Sequence, residues 1–294
     1  MKNILKGKPL LIGAAVAVLL LAAGTGLHAQ TTELMPVSQL ASHTHIHGLA
    51  VDRQDPAFLL IATHHGLFRA GTDGQAERIS VVQDFMGFNP HPNDPTRLFA
   101  SGHPAEGGNL GFIASTDGGS SWTQISPGAN GPVDFHQMTV SPADPQRIYG
   151  AYGNIQVSRD GGRTWEIAAP APEGLIDIAA SAEIPDKLYA ATKSGLLVST
   201  DGAKSWNPIL EGVPVALVEV TSEGTLFAFI LGRGLIRSAE APLDFATVNS
   251  DWGSRILLHL AIDPTDPERL FAATEASQVL MSTDGGQSWR PMGN

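Results

Sequence analysis

Six short apolar segments of one pattern recur along the chain: Leu59–Thr63 (LLIAT), Leu98–Gly102 (LFASG), Ile148–Tyr152 (IYGAY), Leu188–Thr192 (LYAAT), Leu226–Ile230 (LFAFI) and Leu270–Thr274 (LFAAT). Each is apolar at successive rather than alternate positions, the pattern of a strand covered on both faces. An earlier strand such as His47–Val51 precedes it, and Asp-Pro turns (Asp55-Pro56, Asp94-Pro95, Asp144-Pro145, Asp266-Pro267) separate the two in four of the copies. A glycine turn follows and leads to a third strand such as Gly195–Val198. A polar turn closed by tryptophan then opens a fourth. A four-stranded unit recurring at roughly 42 residues is the sequence pattern of a β-propeller. The pattern therefore predicts an all-β fold, a six-bladed β-propeller over residues 43–294.

The polar turn is itself a repeat: Ser115–Trp122 (STDGGSSW), Ser158–Trp165 (SRDGGRTW), Ser199–Trp206 (STDGAKSW) and Ser282–Trp289 (STDGGQSW). Units one and five lack it, with Asp73-Gly74 and Ser238-Ala-Glu240 in its place. In each box the aspartate (Asp117, Asp160, Asp201, Asp284) can accept backbone N–H groups. Glycine supplies the left-handed turn, and the tryptophan (Trp122, Trp165, Trp206, Trp289) plugs the space between sheets. Four copies on one rim cannot all serve one reaction centre, so these residues are expected to staple the fold. The boxes resemble the Asp-box (BNR) repeat shared by sialidases, sortilin-type receptors, xyloglucan hydrolases and a photosystem II assembly factor. The stretches His45–Val51 and Ala62–Phe68 look like those of short exported bacterial propellers usually labelled glycosylhydrolases. That resemblance implies the fold strongly and an activity weakly.

Residues 1–29 carry three lysines, then an apolar run, then small residues. This is the pattern of a cleaved signal peptide, and it implies a bacterial periplasmic or secreted protein that meets the membrane only transiently. Residues 30–42 are expected to be a tether or a strand that closes the ring. The formal charge of −11 argues against nucleic acid as a partner. With no cysteine, the chain has no disulfide, no thiolate metal site and no lipid attachment at a cysteine. No organic cofactor is expected.

The histidines are distributed one-sidedly. First-strand starts and second-to-third strand turns share one face of a propeller. Of the nine histidines beyond residue 29, only His91 falls on the other face. His43, His45 and His47 lead into the first strand of unit one, and alternate residues of a strand face one side. His136 and His259 sit at later first strands, His64 and His65 follow the second strand of unit one, and His103 follows that of unit two. Aligning the units makes His47, Met86 and His136 equivalent, and His64 equivalent to His103. Imidazoles converging on a channel mouth suit zinc or copper, and the Met86 thioether tilts the choice toward copper. The expected ligand is accordingly a metal ion or a small polar molecule.

Two alternatives stand beside metal handling. A glycoside hydrolase needs two carboxylates; Asp177, aligned with Gln137 and His259, is the first catalytic candidate, and Tyr152 is the one tyrosine placed for a sialidase-type nucleophile. Only Arg233 and Arg255 reach the histidine face in this reading, so a three-arginine clamp is missing. Asp84 and Asp134 read as loop caps. The third class is a scaffold for a protein partner, which would need a broad exposed apolar patch.

Overall fold

The structure, a computed structural model, describes residues 34–293; the expected signal peptide lies outside the described residues. It is an all-β, six-bladed β-propeller. Each blade is an antiparallel sheet whose strands follow one another in chain order. The first strands are Ile46–Val51, Met86–Pro90, Gln137–Val140, Leu175–Ala180, Val215–Val220 and Leu257–Asp263. Each packs against the first strand of the next blade, and the sixth packs against the first, so these strands line the central channel. The central residues of the second strands are buried, and in Leu188–Thr192 every position is, because a neighbouring blade covers each face. The core is accordingly divided into six apolar clusters, distributed around the ring of sheets.

Blade one carries an extra outer strand. Met35–Pro36 pairs with Gln75–Arg78, Met35 opposite Ala76. A short helix, Val37–His43, follows. Val37 and Leu40, three residues apart on one helix face, are buried beside Met281 and Met292 of blade six. This packing adds to the contact between the first strands of blades six and one, and no strand is shared between those blades among the described residues.

The boxes work as staples. In the second box of the chain, Asp160 Oδ1 accepts from the amides of Arg163 (3.0 Å) and Thr164 (2.9 Å), and Oδ2 accepts from the Thr164 hydroxyl (2.7 Å). Ser158 Oγ accepts from the Gly162 amide (2.8 Å), and the Trp165 indole donates to the Gly162 carbonyl (3.1 Å). The first glycine of each box donates to the turn between the first two strands of its own blade, for example Gly118 to Thr96 O at 2.9 Å, which sets boxes and these turns on one face. In blade five, Glu240 takes over a stapling role. Buried, it accepts from the Ala182 amide (2.8 Å) and the Tyr189 hydroxyl (3.0 Å) of blade four, and it pairs with Lys187 (3.2 Å).

Candidate functional site

At the face opposite the boxes, the channel opens into a cavity of about 650 Å³. A narrower cavity of about 160 Å³ continues along the axis past Asp177 and Glu219 to Arg53 and Glu223. His47, His136, Gln137, Asp177 and His259 line both. His45, His64, His103 and Met86 line the mouth alone. The sequence reading assembles most of this set, with two exceptions. His43 ends the helix, bonded through Nδ1 to Gln39 O (2.9 Å), and the alternation expected for His43, His45 and His47 does not exist. Burial of Val37 and Leu40 makes that segment helical instead. His65 sits exposed in the turn between strands and lines neither cavity. Tyr152 is an exposed rim residue whose hydroxyl accepts from Asn109 (3.1 Å).

Two groups of donors stand out, each spanning a seam between blades. In the first, His64 Nδ1 lies 2.9 Å from Asp84 Oδ2, and His47 Nε2 lies 3.8 Å from Asp84 Oδ1. In the second, Asp134 Oδ2 lies 2.9 Å from His103 Nε2 and 2.7 Å from His136 Nε2. The groups are related by one blade step: His64 corresponds to His103 and Asp84 to Asp134. Met86, from the equivalent position of blade two, lies between them in chain order and lines the same cavity. The two aspartates are what sequence reasoning missed. Neither carboxylate caps a loop, since the side-chain partners of both are histidines. The available signal was the tandem Asp84-Phe85-Met86 and Asp134-Phe135-His136, an Asp-Phe pair that opens the first strand in these two blades alone.

The fold holds both aspartates firmly. Phe85 and Phe135 are fully buried, with ring centroids 4.8 Å from Trp122 and 4.9 Å from Trp165 respectively, so two of the box tryptophans brace the residues next to the site aspartates. Gly102, with φ +122°, allows the second strand of blade two to pass close to Asp84: a Cβ there would sit 2.2 Å from the Asp84 carbonyl oxygen. His103 Nδ1 lies 2.7 Å from the Gly108 carbonyl, an acceptor to which Nδ1 donates, and its Nε2 faces Asp134 Oδ2 at 2.9 Å.

Electrostatically the mouth is unusual. Burial, then the nearby His64, His259, His136 and His45, hold His47 down at about 3, so its ring is neutral at physiological pH. His259 is lowered to about 4 by burial, against a hydrogen bond with the Ile46 backbone. The hydrogen bond to Asp134 raises His136. His47 Nε2, Asp84 Oδ1 and Asp134 Oδ1 are buried without a hydrogen-bond partner, a costly state for polar atoms. Deeper in the channel, burial raises Asp177 to about 7 although its carboxylate accepts from the amides of Ile178 (2.9 Å) and Val218 (3.0 Å). Glu219 is raised to about 8 by burial and then by Asp177. Both side chains are partly exposed, and both line the narrow channel.

No family model and no curated protein matches the chain. Solved structures do. The GH74 enzyme of Niastella koreensis has a TM-score of 0.59 at 16% identity, over 84% of this chain and 45% of its own. The GH74 xyloglucanase of Xanthomonas campestris has a TM-score of 0.56 at 16% identity, over 88% and 46%. YCF48 bound to the D1 peptide has a TM-score of 0.52 at 18% identity, over 88% and 84%. The chain thus spans under half the length of the GH74 structures it matches. At these identities the likeness is one of fold: a propeller shared by glycoside hydrolases and by a peptide-bound protein.

Proposed function

We propose that this protein is an extracytoplasmic metal-binding propeller whose channel mouth takes up a divalent transition metal through His47, His64 and Asp84, with His103, Asp134 and His136 as a second donor set that shares the His–Asp pair one blade on. The observation that carries the reading is the facing pair His47 Nε2 and Asp84 Oδ1. They are buried and unpartnered, 3.8 Å apart, with His64 closing the triangle. An ion between them satisfies both atoms at once. Two imidazoles and a carboxylate suit zinc and copper(II), and the Met86 thioether in the same cavity favours copper. The signal-like N-terminus supplies the extracytoplasmic setting.

Hydrolysis is the second reading. Asp177 and Glu219, held protonated toward neutrality, are what favours it. Against it, Asp177 is committed to two backbone amides and the adjoining channel is narrow.

Metal content of protein purified from copper- and zinc-supplemented medium tests the proposal, with His47→Ala and His136→Ala alongside. At least one equivalent in the wild type, reduced in each variant while the folded signal persists, supports it. Protein that remains metal-free after titration with copper and zinc at micromolar concentration overturns it.

A further inference from the structure

The mouth is built from one repeated backbone feature. In blades one, four, five and six, the pairing of the first strand with the second skips one residue, in the steps Ile46/Gly48, Leu175/Asp177, Val215/Leu217 and Leu257/His259. Each bulge frees one residue from the ladder and aims it away from the regular alternation. The freed residues are His47, Ile176, Ala216 and Leu258, and all four line the mouth cavity. Met86 and His136 line it from the corresponding places in blades two and three. One structural position, read around the ring, is therefore His, Met, His, Ile, Ala, Leu. The metal-ligating half belongs to blades one to three and the apolar half to blades four to six.

The apolar half faces a cavity much larger than an ion needs. About 650 Å³ lies within the ~300–1,000 Å³ range of pockets for small organic molecules. The polar groups beside the apolar half are already committed: Glu275 accepts from the Ile256 amide (2.7 Å), and Ser277 Oγ from the Ile46 amide (3.1 Å). The lining as a whole is more apolar than polar despite its histidines. Each donor group also supplies only three protein ligands, which leaves coordination positions open toward the cavity.

We propose that the mouth binds its metal together with a small organic chelator, a molecule with an anionic metal-coordinating head and an apolar body. The head completes the coordination sphere on the histidine side, and the body lies against Ile176, Ala216 and Leu258. This inference rests on the metal reading above.

The test is calorimetric titration of the zinc-loaded protein with two hydroxamates that share a head, acetohydroxamate and octanohydroxamate. The expected result is at least about tenfold tighter binding of the longer probe, the gain from burying two methylenes. That advantage should disappear in Leu258→Asn or in Ile176→Thr, with zinc content unchanged. Equal affinity of the two probes for zinc-loaded wild-type protein overturns the inference while leaving the metal site standing. So does an advantage that survives in both variants. Protein that takes up neither zinc nor copper overturns the metal reading and this one with it; protein that takes up copper alone is titrated with the same two probes in its copper-loaded form.

Discussion

The two faces of the propeller use carboxylates in opposite ways. At the box face, Asp160, Asp201 and Asp284 accept hydrogen bonds from their own turns and are held down at about 2. In the channel, burial pushes Asp177 to about 7 and Glu219 to about 8. The residue types are alike, and in blade four Asp201 and Asp177 stand at opposite ends of one sheet. What differs is whether local donors match the charge. Where the sequence repeats faithfully, the box aspartates are satisfied by their own turns and build the fold. Where it breaks the repeat, at His64, Asp84, His103 and Asp134, polar atoms reach across a seam and some remain unpaired.

The largest effect should come from breaking the box-face core. Phe112 is fully buried with its ring centroid 5.4 Å from that of Trp165. Phe112→Ala is expected to cost about 3–5 kcal/mol in denaturant unfolding, with metal stoichiometry retained wherever the protein is folded. Asp84→Asn should do the reverse. It should lower metal affinity at least about tenfold in a competition titration, while changing stability by less than about 1 kcal/mol.

The comparison also predicts a two-sided pH profile. A box aspartate has a folded pKa below its unfolded value, so its contribution is present above pH ~4 and is lost as pH falls toward 2. Asp177 and Glu219 have folded values above their unfolded ones. Their contribution is full below pH ~4 and declines as pH rises toward 7 and 8. Metal-free protein should therefore be most stable near pH 4 on these groups alone. Asp177→Asn and Glu219→Gln should each flatten the decline between pH 4 and 7, by at most about 1.4 kcal/mol per pH unit; an unchanged slope in thermal melts would count against the burial account. The smallest effect belongs to the rim: Tyr152→Phe should shift stability by under about 0.5 kcal/mol and leave metal binding untouched.

The fold was legible because the units repeat in register: six apolar second strands, and in four units a polar turn ending in tryptophan. The histidine half of the mouth was legible for the same reason, since alignment of units makes His47, Met86 and His136 equivalent. The aspartates were not. Asp84 meets His64 across 20 residues of chain and a blade seam, a relation that spacing within one unit cannot show. The apolar half was hidden too, because Ile176, Ala216 and Leu258 look like core until the bulges turn them into the channel. The helix at Val37–His43 was missed because its two buried residues, Val37 and Leu40, join a cluster built from blades one and six that local spacing does not show.

The most direct test of the central claim is an anomalous-scattering crystal structure of the mature protein soaked with copper or zinc. The account predicts a peak between His47 Nε2 and Asp84 Oδ1, roughly 2.0–2.2 Å from the ligand atoms, with His64 as third ligand. A well-ordered mouth with no peak there, or metal bound only on the box face, would contradict it.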